Sequence, residues 1–316
     1  MICSRLARFV RASARRHASP SRARATNRVA RGGSTTAWRG AASSSFAAAP
    51  ILLFSFMAGL ADPLVYFPSA EHDGGTPAAL GLAYEDLHLE TSDGVRLHGW
   101  LVPGPAAARV AGDAGAPTVL FFHGNGGNIS HRLGKLAGLH GLGASVLLID
   151  YRGYGKSGGS PDEEGLYRDA DAAYEELLRR GRQPEQVVLY GESLGGTVAT
   201  ELASRRPVAG VVLESTPTSI LAVARYHYPI LPVSLLLAAR YDALSRIGRL
   251  DAPVLVMHST EDEIVPFAMG EELHAAAPEP KRLVRLRGGH NDGFLHSAQT
   301  YEQALREFLT QLRRST

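Results

Sequence analysis

Cysteine is nearly absent from this sequence, because Cys3 is the only one among 316 residues. A disulfide framework and a cysteine-ligated zinc site are therefore both excluded from the rest of the chain. The histidines show no H-E-x-x-H spacing, so the helical motif of zinc hydrolases is missing as well. An internal repeat is also lacking, which leaves an ordinary globular domain as the expectation.

Acidic residues are missing from the first 45 positions, which hold ten arginines. The whole chain has 33 Lys and Arg residues against 31 Asp and Glu, so beyond position 45 the formal charge is about −8. The larger part of the chain is thus acidic. An acidic domain argues against a nucleic-acid-binding surface.

The first 61 residues have the composition of a targeting segment. Residues 1–45 are rich in Arg, Ala and Ser, which is typical of an organelle-targeting or export sequence. Residues 40–61 carry no charge over 22 positions, near the ~20 residues of one membrane crossing. We expect residues 46–61 to be a signal peptide or signal anchor, so that the protein is membrane-associated or exported. Organelle targeting, and a true start at Met57 with a cytoplasmic location, are the alternatives.

Apolar runs alternate with helical patterns through residues 62–316, which predicts one α/β domain. Residues 87–101 alternate apolar and polar side chains around a Ser-Asp-Gly turn, as an antiparallel hairpin does. Runs typical of buried parallel strands are residues 118–122, 145–149, 186–190, 208–213, 254–257 and 283–286. Helical patterns cover residues 164–180, 194–204, 267–277 and 297–312. The expected fold is a mostly parallel sheet with helices on both faces.

Residues 191–195 read G-E-S-L-G, between the predicted strand 186–190 and a helix that begins at Leu194. A strand, a sharp turn and a helix in this order hold a serine hydroxyl above the sheet, at a helix N-terminus that favours negative charge. Glycines on both sides prevent a clash in so tight a turn. We therefore predict that Ser193 is a nucleophile, and not part of a plain glycine-rich turn.

A serine nucleophile requires two preorganised donors for the oxyanion that forms. We expect one to be the backbone N–H of Leu194. The second is expected from residues 123–128, H-G-N-G-G-N, where the N–H of Asn125 is the preferred donor. This loop lacks the spacing and the Lys-Ser/Thr ending of a phosphate-binding loop. Asn128 is expected to cap the next helix.

Only His290 and His296 follow the last predicted strand, where the base must lie if the chain order is Ser, Asp, His. His290 lies on a loop at the carboxyl edge of the sheet and is the predicted base. His296 is expected at the surface, at the start of the final helix. Asp262, after strand 254–257, is the predicted acid that orients the imidazole. Glu214 is the alternative acid, or a support under the serine turn.

A second motif, Gly-Lys-Ser at residues 155–157, resembles the end of a P-loop. The first glycine of that motif would fall at Asp150, so the motif fails. Residues 150–155 instead predict a turn after a strand, with Arg152 paired locally.

Six segments together resemble the α/β-hydrolase-domain serine hydrolases, a group that includes eukaryotic protein depalmitoylases and bacterial relatives. They are F-H-G-N-G-G-N at 122–128, D-Y-R-G-Y-G-K-S at 150–157, Y-G-E-S-L-G-G at 190–196, L-E-S-T-P at 213–217, E-D at 261–262 and G-H-N-D at 289–292. The resemblance runs from about Tyr66 to the C-terminus. It implies Ser193, Asp262 and His290 as a catalytic triad, with no metal and no organic cofactor. The depalmitoylases are attached through an N-terminal cysteine cluster, whereas this chain has only Cys3.

Residues 218–250 leave room for a small lid that is rich in apolar side chains. The lid is expected to be an acyl-chain or membrane-facing cover, or else a set of helices packed on the sheet edge. The predicted activity is hydrolysis of acyl esters or thioesters through an acyl-enzyme. A serine peptidase or amidase of the same fold, and a non-catalytic lipid- or partner-binding protein, are the alternatives. The expected partners are the substrate and a membrane, without nucleic acid.

Overall fold

A computed structural model describes residues 62–105 and 117–315; the predicted targeting and signal segments, 1–45 and 46–61, lie outside these residues. The strands are β1 (Phe67–Pro68), β2 (Glu85–Glu90), β3 (Arg96–Val102), β4 (Thr118–Phe122), β5 (Gly126–Gly127), β6 (Ser145–Asp150), β7 (Val187–Glu192), β8 (Gly210–Glu214), β9 (Val254–Ser259) and β10 (Lys281–Leu286). The α-helices are α1 (Leu133–Gly141), α2 (Glu163–Arg179), α3 (Leu194–Ala203), α4 (Ile220–His227), α5 (Val233–Leu236), α6 (Leu244–Ile247), α7 (Phe267–Ala276), α8 (Gly293–His296) and α9 (Ala298–Ser315). Short 3₁₀ turns occupy Asp62–Leu64, Pro77–Leu80, Ile129–Arg132 and Pro184–Gln186.

Eight strands form one sheet in the order β10-β9-β8-β7-β4-β6-β3-β2. Neighbours from β10 to β6 are parallel, whereas β3 is antiparallel to both β6 and β2. Strands β2 and β3 form the predicted hairpin, with Leu87 opposite Gly99. Helices connect the parallel strands because a parallel crossover needs a long connection. The predicted fold class is confirmed.

Helices cover both faces of the sheet, and β4 illustrates why its sequence suits that position. All five residues of β4 are buried. Leu120 and Phe122 pack against the cluster that includes α2, α3 and α7, whereas Val119 and Phe121 pack against α1 and α9. A strand covered on both faces requires such a continuous apolar run, and not an alternating one.

Strand β7 extends two residues beyond its predicted end at position 190. Gly191 and Glu192 continue the parallel pairing with Leu213 and Glu214 of β8. Ser193 therefore follows the last paired residue directly. This register places the serine at the carboxyl edge of the sheet, where ligand sites of open α/β sheets lie.

The prediction of a local partner for Arg152 is wrong. Its Nε donates to Asp169 Oδ1 on α2 at 2.8 Å, and its Nη1 donates to Asp93 Oδ2 at 2.8 Å. Asp93 lies in the turn of the β2–β3 hairpin, 59 residues away in sequence. The buried guanidinium thus ties the loop after β6 to a helix and to the edge hairpin.

The predicted lid, residues 218–250, contains α4, α5 and α6. The segment between α5 and α6 is hydrogen-bonded to α2. Glu163 accepts hydrogen bonds from the backbone N–H groups of Arg240 and Tyr241, at 2.6 and 2.8 Å. Helix α4 has no buried residue.

Within the described ranges, no helix is both long enough and apolar enough to cross a bilayer.

Candidate active site

Ser193 occupies a strained turn between β7 and α3, with φ 53° and ψ −118°. Its N–H donates to the carbonyl of Glu214 at 2.8 Å, which fixes the turn to the neighbouring strand. A Cβ at Gly191 would lie 2.3 Å from Gly196 Cα, and one at Gly195 would lie 2.1 Å from a backbone oxygen of β4. Glycine is therefore required at both positions by close packing of backbone. A strained backbone held by its surroundings is a feature of functional sites.

His290 connects Ser193 with Asp262. Its Nε2 lies 3.0 Å from Ser193 Oγ, and its Nδ1 lies 2.8 Å from Asp262 Oδ2. With Asp262 ionised, Nδ1 carries the proton and Nε2 accepts from the serine hydroxyl. The backbone N–H of His290 donates to Glu263 Oε2 at 3.0 Å, which anchors the loop that carries the imidazole.

The Asp262 carboxylate is fully buried and has several donors. Its Oδ1 accepts from the N–H groups of Ile264, at 2.9 Å, and Val265, at 2.7 Å. Burial alone would raise the pKa of this carboxyl, but hydrogen bonds from His258 and His290 hold the pKa well below its ordinary value. The carboxylate thus stays ionised and keeps its orientation near neutral pH.

His258, at the end of β9, is a site residue that the sequence reasoning missed. Its Nε2 lies 2.9 Å from the carbonyl oxygen of Val265 and 3.3 Å from Asp262 Oδ2. A carbonyl only accepts, so Nε2 carries a proton that both oxygens share. His258 therefore holds the acid from the strand side.

Asn125, the predicted second donor, is fixed by three hydrogen bonds. Its side chain donates to the carbonyl of Val65 at 2.9 Å. Its own carbonyl accepts from Phe67 N at 3.0 Å and from the Tyr154 hydroxyl at 2.8 Å. Leu194 is the first residue of α3, so its N–H has no acceptor within the helix. One predicted donor thus lies on a loop fixed by hydrogen bonds, and the other lies at the start of the helix after Ser193.

His123 fixes the peptide that carries the Asn125 N–H. Its Nδ1 donates to the carbonyl of Gly124 at 2.7 Å, because that oxygen can only accept. Burial, and secondarily the Arg132 guanidinium, lower the pKa of His123 to about 4. The ring is therefore neutral near pH 7 and keeps this tautomer. The sequence placed His123 in the H-G-N-G-G-N loop, but no role was predicted for its side chain.

A buried ion cluster lies under the serine turn. Lys135 Nζ lies 3.0 Å from both carboxylate oxygens of Glu214 and 3.3 Å from Glu192 Oε2. Arg132 Nε donates to Glu192 Oε2 at 2.9 Å, and its Nη2 donates to the carbonyl of Gly126 at 3.0 Å. Burial would raise the pKa of Glu192, but the two cations hold it below its ordinary value. The cluster joins β7, β8 and the glycine-rich loop.

The alternative acid and base lie elsewhere. The Glu214 carboxylate contacts Lys135 and the Tyr190 hydroxyl, so it supports the turn from below as the sequence suggested. His296 has an exposed side chain that lies 3.3 Å from Asp292. Neither side chain has a hydrogen bond to His290 or Ser193 among those of the described residues. Asn128 caps the following turn through a bond from Ser130 N, as expected.

His72, His98 and Asp150 are the described residues that could hold a metal ion, since one ligand atom from each lies within 4.8 Å of the others. Asp150 Oδ2 lies 2.8 Å from His72 Nε2 and 3.0 Å from His98 Nδ1, and its Oδ1 accepts from Ile129 N at 3.0 Å. Burial would raise the pKa of Asp150, but the two imidazoles hold it below its ordinary range. These bonds account for the cluster, which fastens the segment before β2 to the end of β6.

A mostly parallel sheet with a strained serine between a strand and a helix defines an α/β hydrolase. The profile of the family described as alpha/beta hydrolase fold matches residues 117–233. The uncharacterized protein Rv2307c of Mycobacterium tuberculosis is 46% identical over 252 residues, which cover 78% of this chain and 86% of that protein. WAV2 of Arabidopsis thaliana, an alpha/beta hydrolase domain-containing protein, is 33% identical over 255 residues, which cover 74% of this chain and 81% of WAV2. The chain belongs to the α/β-hydrolase family.

Among solved structures, the esterase Pf2001 of Pyrococcus furiosus has a TM-score of 0.63 with 21% identity, over 78% of this chain and 98% of that one. An identity this low shows the shared fold alone. Family membership supports a hydrolase as the class of enzyme.

Proposed function

We propose that this chain is a serine hydrolase that cleaves carboxylic esters or thioesters of acyl substrates. The observation that carries the proposal is the continuous chain of hydrogen bonds from Ser193 Oγ through His290 to Asp262, at 3.0 and 2.8 Å. A nucleophile, a base and an orienting acid in contact are the groups that acyl transfer through serine requires.

In the first half-reaction, Ser193 Oγ attacks the acyl carbon while its proton passes to His290 Nε2. The carbonyl oxygen becomes an oxyanion, for which the N–H groups of Leu194 and Asn125 are the proposed donors. His290 then gives the proton to the leaving oxygen or sulfur, which departs as alcohol or thiol. Asp262 stabilises the imidazolium between these two transfers.

In the second half-reaction, water attacks the acyl-enzyme. His290 takes one proton from the water, and the same two N–H groups receive the second oxyanion. The intermediate collapses to the carboxylic acid, and His290 returns the proton to Ser193 Oγ. No group other than water is consumed.

The apolar lid favours an acyl substrate over a polar one. Three apolar residues of α4, Ile220, Leu221 and Ala224, are partly buried and pack against the same apolar cluster as Leu194, the residue after the serine. Apolar walls with a few fixed polar groups suit an acyl chain bound beside a reacting carbonyl.

The first experiment is labelling with a fluorophosphonate probe, followed by peptide mapping. The probe is expected at Ser193 in the wild-type protein, and Ser193→Ala should remove it without lowering the melting temperature. Labelling that persists in Ser193→Ala would contradict the assigned nucleophile. His296→Gln is the matched control, since His296 is exposed and should leave labelling intact.

Substrate class is tested by kcat/KM over a chain-length series of acyl esters, acyl thioesters and aminoacyl amides. The proposal expects esters or thioesters to exceed amides by several orders of magnitude. A preference for amides would instead establish the peptidase alternative. No turnover of any of them, with no labelling, would favour a non-catalytic binding protein.

A further inference from the structure

The outer surface of the lid exposes large apolar side chains to solvent. We define the lid face as Tyr226, Tyr228, Ile230, Leu231 and Leu235, all of which are exposed. Ile230 has 94% of its surface accessible, the highest value among the exposed large apolar side chains of the described residues. Large apolar side chains exposed together within ten residues of sequence are typical of a docking site for a protein, a ligand or a membrane.

The lid face is also basic. Residues 215–241 contain Arg225, His227 and Arg240 but no acidic residue. This contrasts with the acidic balance of the chain beyond position 45. The carboxylates of Asp62 and Glu163 contact backbone N–H groups at the end of this segment. A segment that combines apolar side chains with arginines has the composition of surfaces that bind anionic lipid bilayers.

The chain also enters the described domain beside the lid. Asp62 Oδ1 accepts from the N–H groups of Ala238, at 2.9 Å, and Ala239, at 3.2 Å. The 61 residues before Asp62 contain ten arginines, no acid and an uncharged run over residues 40–61. Asp62, the first described residue, is therefore fixed to the end of the lid segment.

His227, which lies between two residues of the lid face in sequence, is connected with the candidate active site by two hydrogen bonds. His227 Nε2 donates to the carbonyl of Ile264 at 2.7 Å, and Ile264 N donates to Asp262 Oδ1 at 2.9 Å. Ile264 is itself exposed. A surface that approached the lid face would thus lie close to the loop that carries the acid.

We infer that the lid face docks on an anionic lipid bilayer, with Ile230 and Leu231 among the acyl chains and Arg225 and Arg240 near the phosphates. Docking brings the Ser193 site to lipid-borne acyl groups; only this last step rests on the proposed hydrolase function. The bilayer is preferred to a protein partner because exposed arginines and exposed large apolar side chains occur together in residues 215–241, a segment that contains no acidic residue.

The single cysteine allows a direct test in the full chain. Cys3→Ser combined with Ile230→Cys places one thiol on the lid face for nitrobenzoxadiazole labelling. Vesicles of phosphatidylcholine with phosphatidylglycerol should shift the emission to the blue, and spin-labelled lipids should quench it. Cys3→Ser with Gln303→Cys, on the exposed side of α9, is the matched control and should not respond.

Three results would overturn the inference. Vesicle binding without a response at position 230 would mean that only residues 1–61 touch the bilayer. A blue-shifted emission before vesicles are added, rising with protein concentration, would identify a second copy as the occupant. The same emission at every protein concentration would identify a segment of the chain's own extension.

A second variant separates docking from catalysis. Ile230→Asp with Leu231→Asp should lower the vesicle partition coefficient by about tenfold or more. Hydrolysis of a soluble short-chain ester should be unchanged, whereas hydrolysis of a long-chain ester embedded in vesicles should fall by the same factor. Unchanged partitioning would contradict the inference. If the wild-type protein hydrolyses no ester, the proposed function fails while the fluorescence result still decides docking.

Discussion

His258 Nε2 lies 3.3 Å from Asp262 Oδ2, the same oxygen that accepts from His290. The acid of the candidate site is therefore held by two imidazoles, one from β9 and one from the loop after β10. A carboxylate with several fixed donors cannot rotate away from the base. This arrangement makes His258 a positioning residue for the proposed reaction.

Removal of the His258 N–H should lower activity and change its pH dependence. We expect His258→Leu to reduce kcat about tenfold, equivalent to ~1.4 kcal/mol for one lost hydrogen bond to a charged group. The pKa of Asp262 should rise because an ionised carboxylate loses a donor, so the loss of kcat/KM that accompanies protonation of Asp262 should begin at a higher pH. His258→Gln, which can donate, should restore part of both effects. A loss of melting temperature with an unchanged profile would show a structural role only.

The acid assignment predicts a ranking of two carboxyl variants. Asp262→Asn should lower kcat by roughly 10⁴-fold, as loss of the orienting aspartate does in a serine protease, because the imidazole takes the wrong tautomer. Glu214→Gln should cost less, since Glu214 contacts Lys135 and not His290. Steady-state kinetics on a short-chain ester, with active-site titration, measures both. The reverse ranking would move the acid to the end of β8.

The tight packing at the serine turn predicts opposite outcomes for two glycine substitutions. A Cβ at Gly195 would lie 2.1 Å from Phe122 O, so Gly195→Ala should destabilise the protein and abolish fluorophosphonate labelling. Gly134 on α1 has no atom within 4 Å of such a Cβ, so Gly134→Ala should stabilise by about 0.5–1 kcal/mol. Thermal melts and labelling test both. A fully active Gly195→Ala protein would contradict the packing argument.

The buried cluster under the turn predicts a pH-dependent loss of stability. Lys135→Met leaves the carboxylates of Glu192 and Glu214 short of a partner and should cost about 3–5 kcal/mol at neutral pH. The pKa of Glu192 lies below its ordinary value in the folded protein, so its stabilisation is present at neutral pH and is lost as pH falls through the acid range. The difference in unfolding free energy between variant and wild type should therefore shrink at low pH. A difference that does not change with pH would exclude this electrostatic origin.

The sequence predicted those features that depend on short-range patterns. The G-E-S-L-G turn was recognisable because its flanking strand and helix are contiguous with it, and the apolar runs predicted each central strand to within a few residues. The roles of His258 and His123 were not predicted, because each side chain acts through a contact that forms only in the folded backbone. The same holds for Arg152 and Asp93, which are 59 residues apart. Long-range polar pairs leave no periodicity in a single sequence.

The start of the catalytic domain can be tested with two shortened chains. A protein that begins at Asp62 keeps Val65 and Phe67, whose backbone groups bond to Asn125 at 2.9 and 3.0 Å. A protein that begins at Thr76 loses both bonds. We expect the first to remain folded and to keep its kcat on a soluble short-chain ester.

The second shortened chain should lose activity out of proportion to its loss of structure. Without the pairing between β1 and β5, the loop that presents the Asn125 N–H has lost its brace, and an oxyanion donor that moves away costs roughly 10²–10³-fold in kcat. Circular dichroism, active-site titration and ester kinetics separate folding from turnover. If the protein that begins at Asp62 is unfolded or inactive, part of residues 1–61 belongs to the domain. If the protein that begins at Thr76 is fully active, the bracing of Asn125 has no part in catalysis.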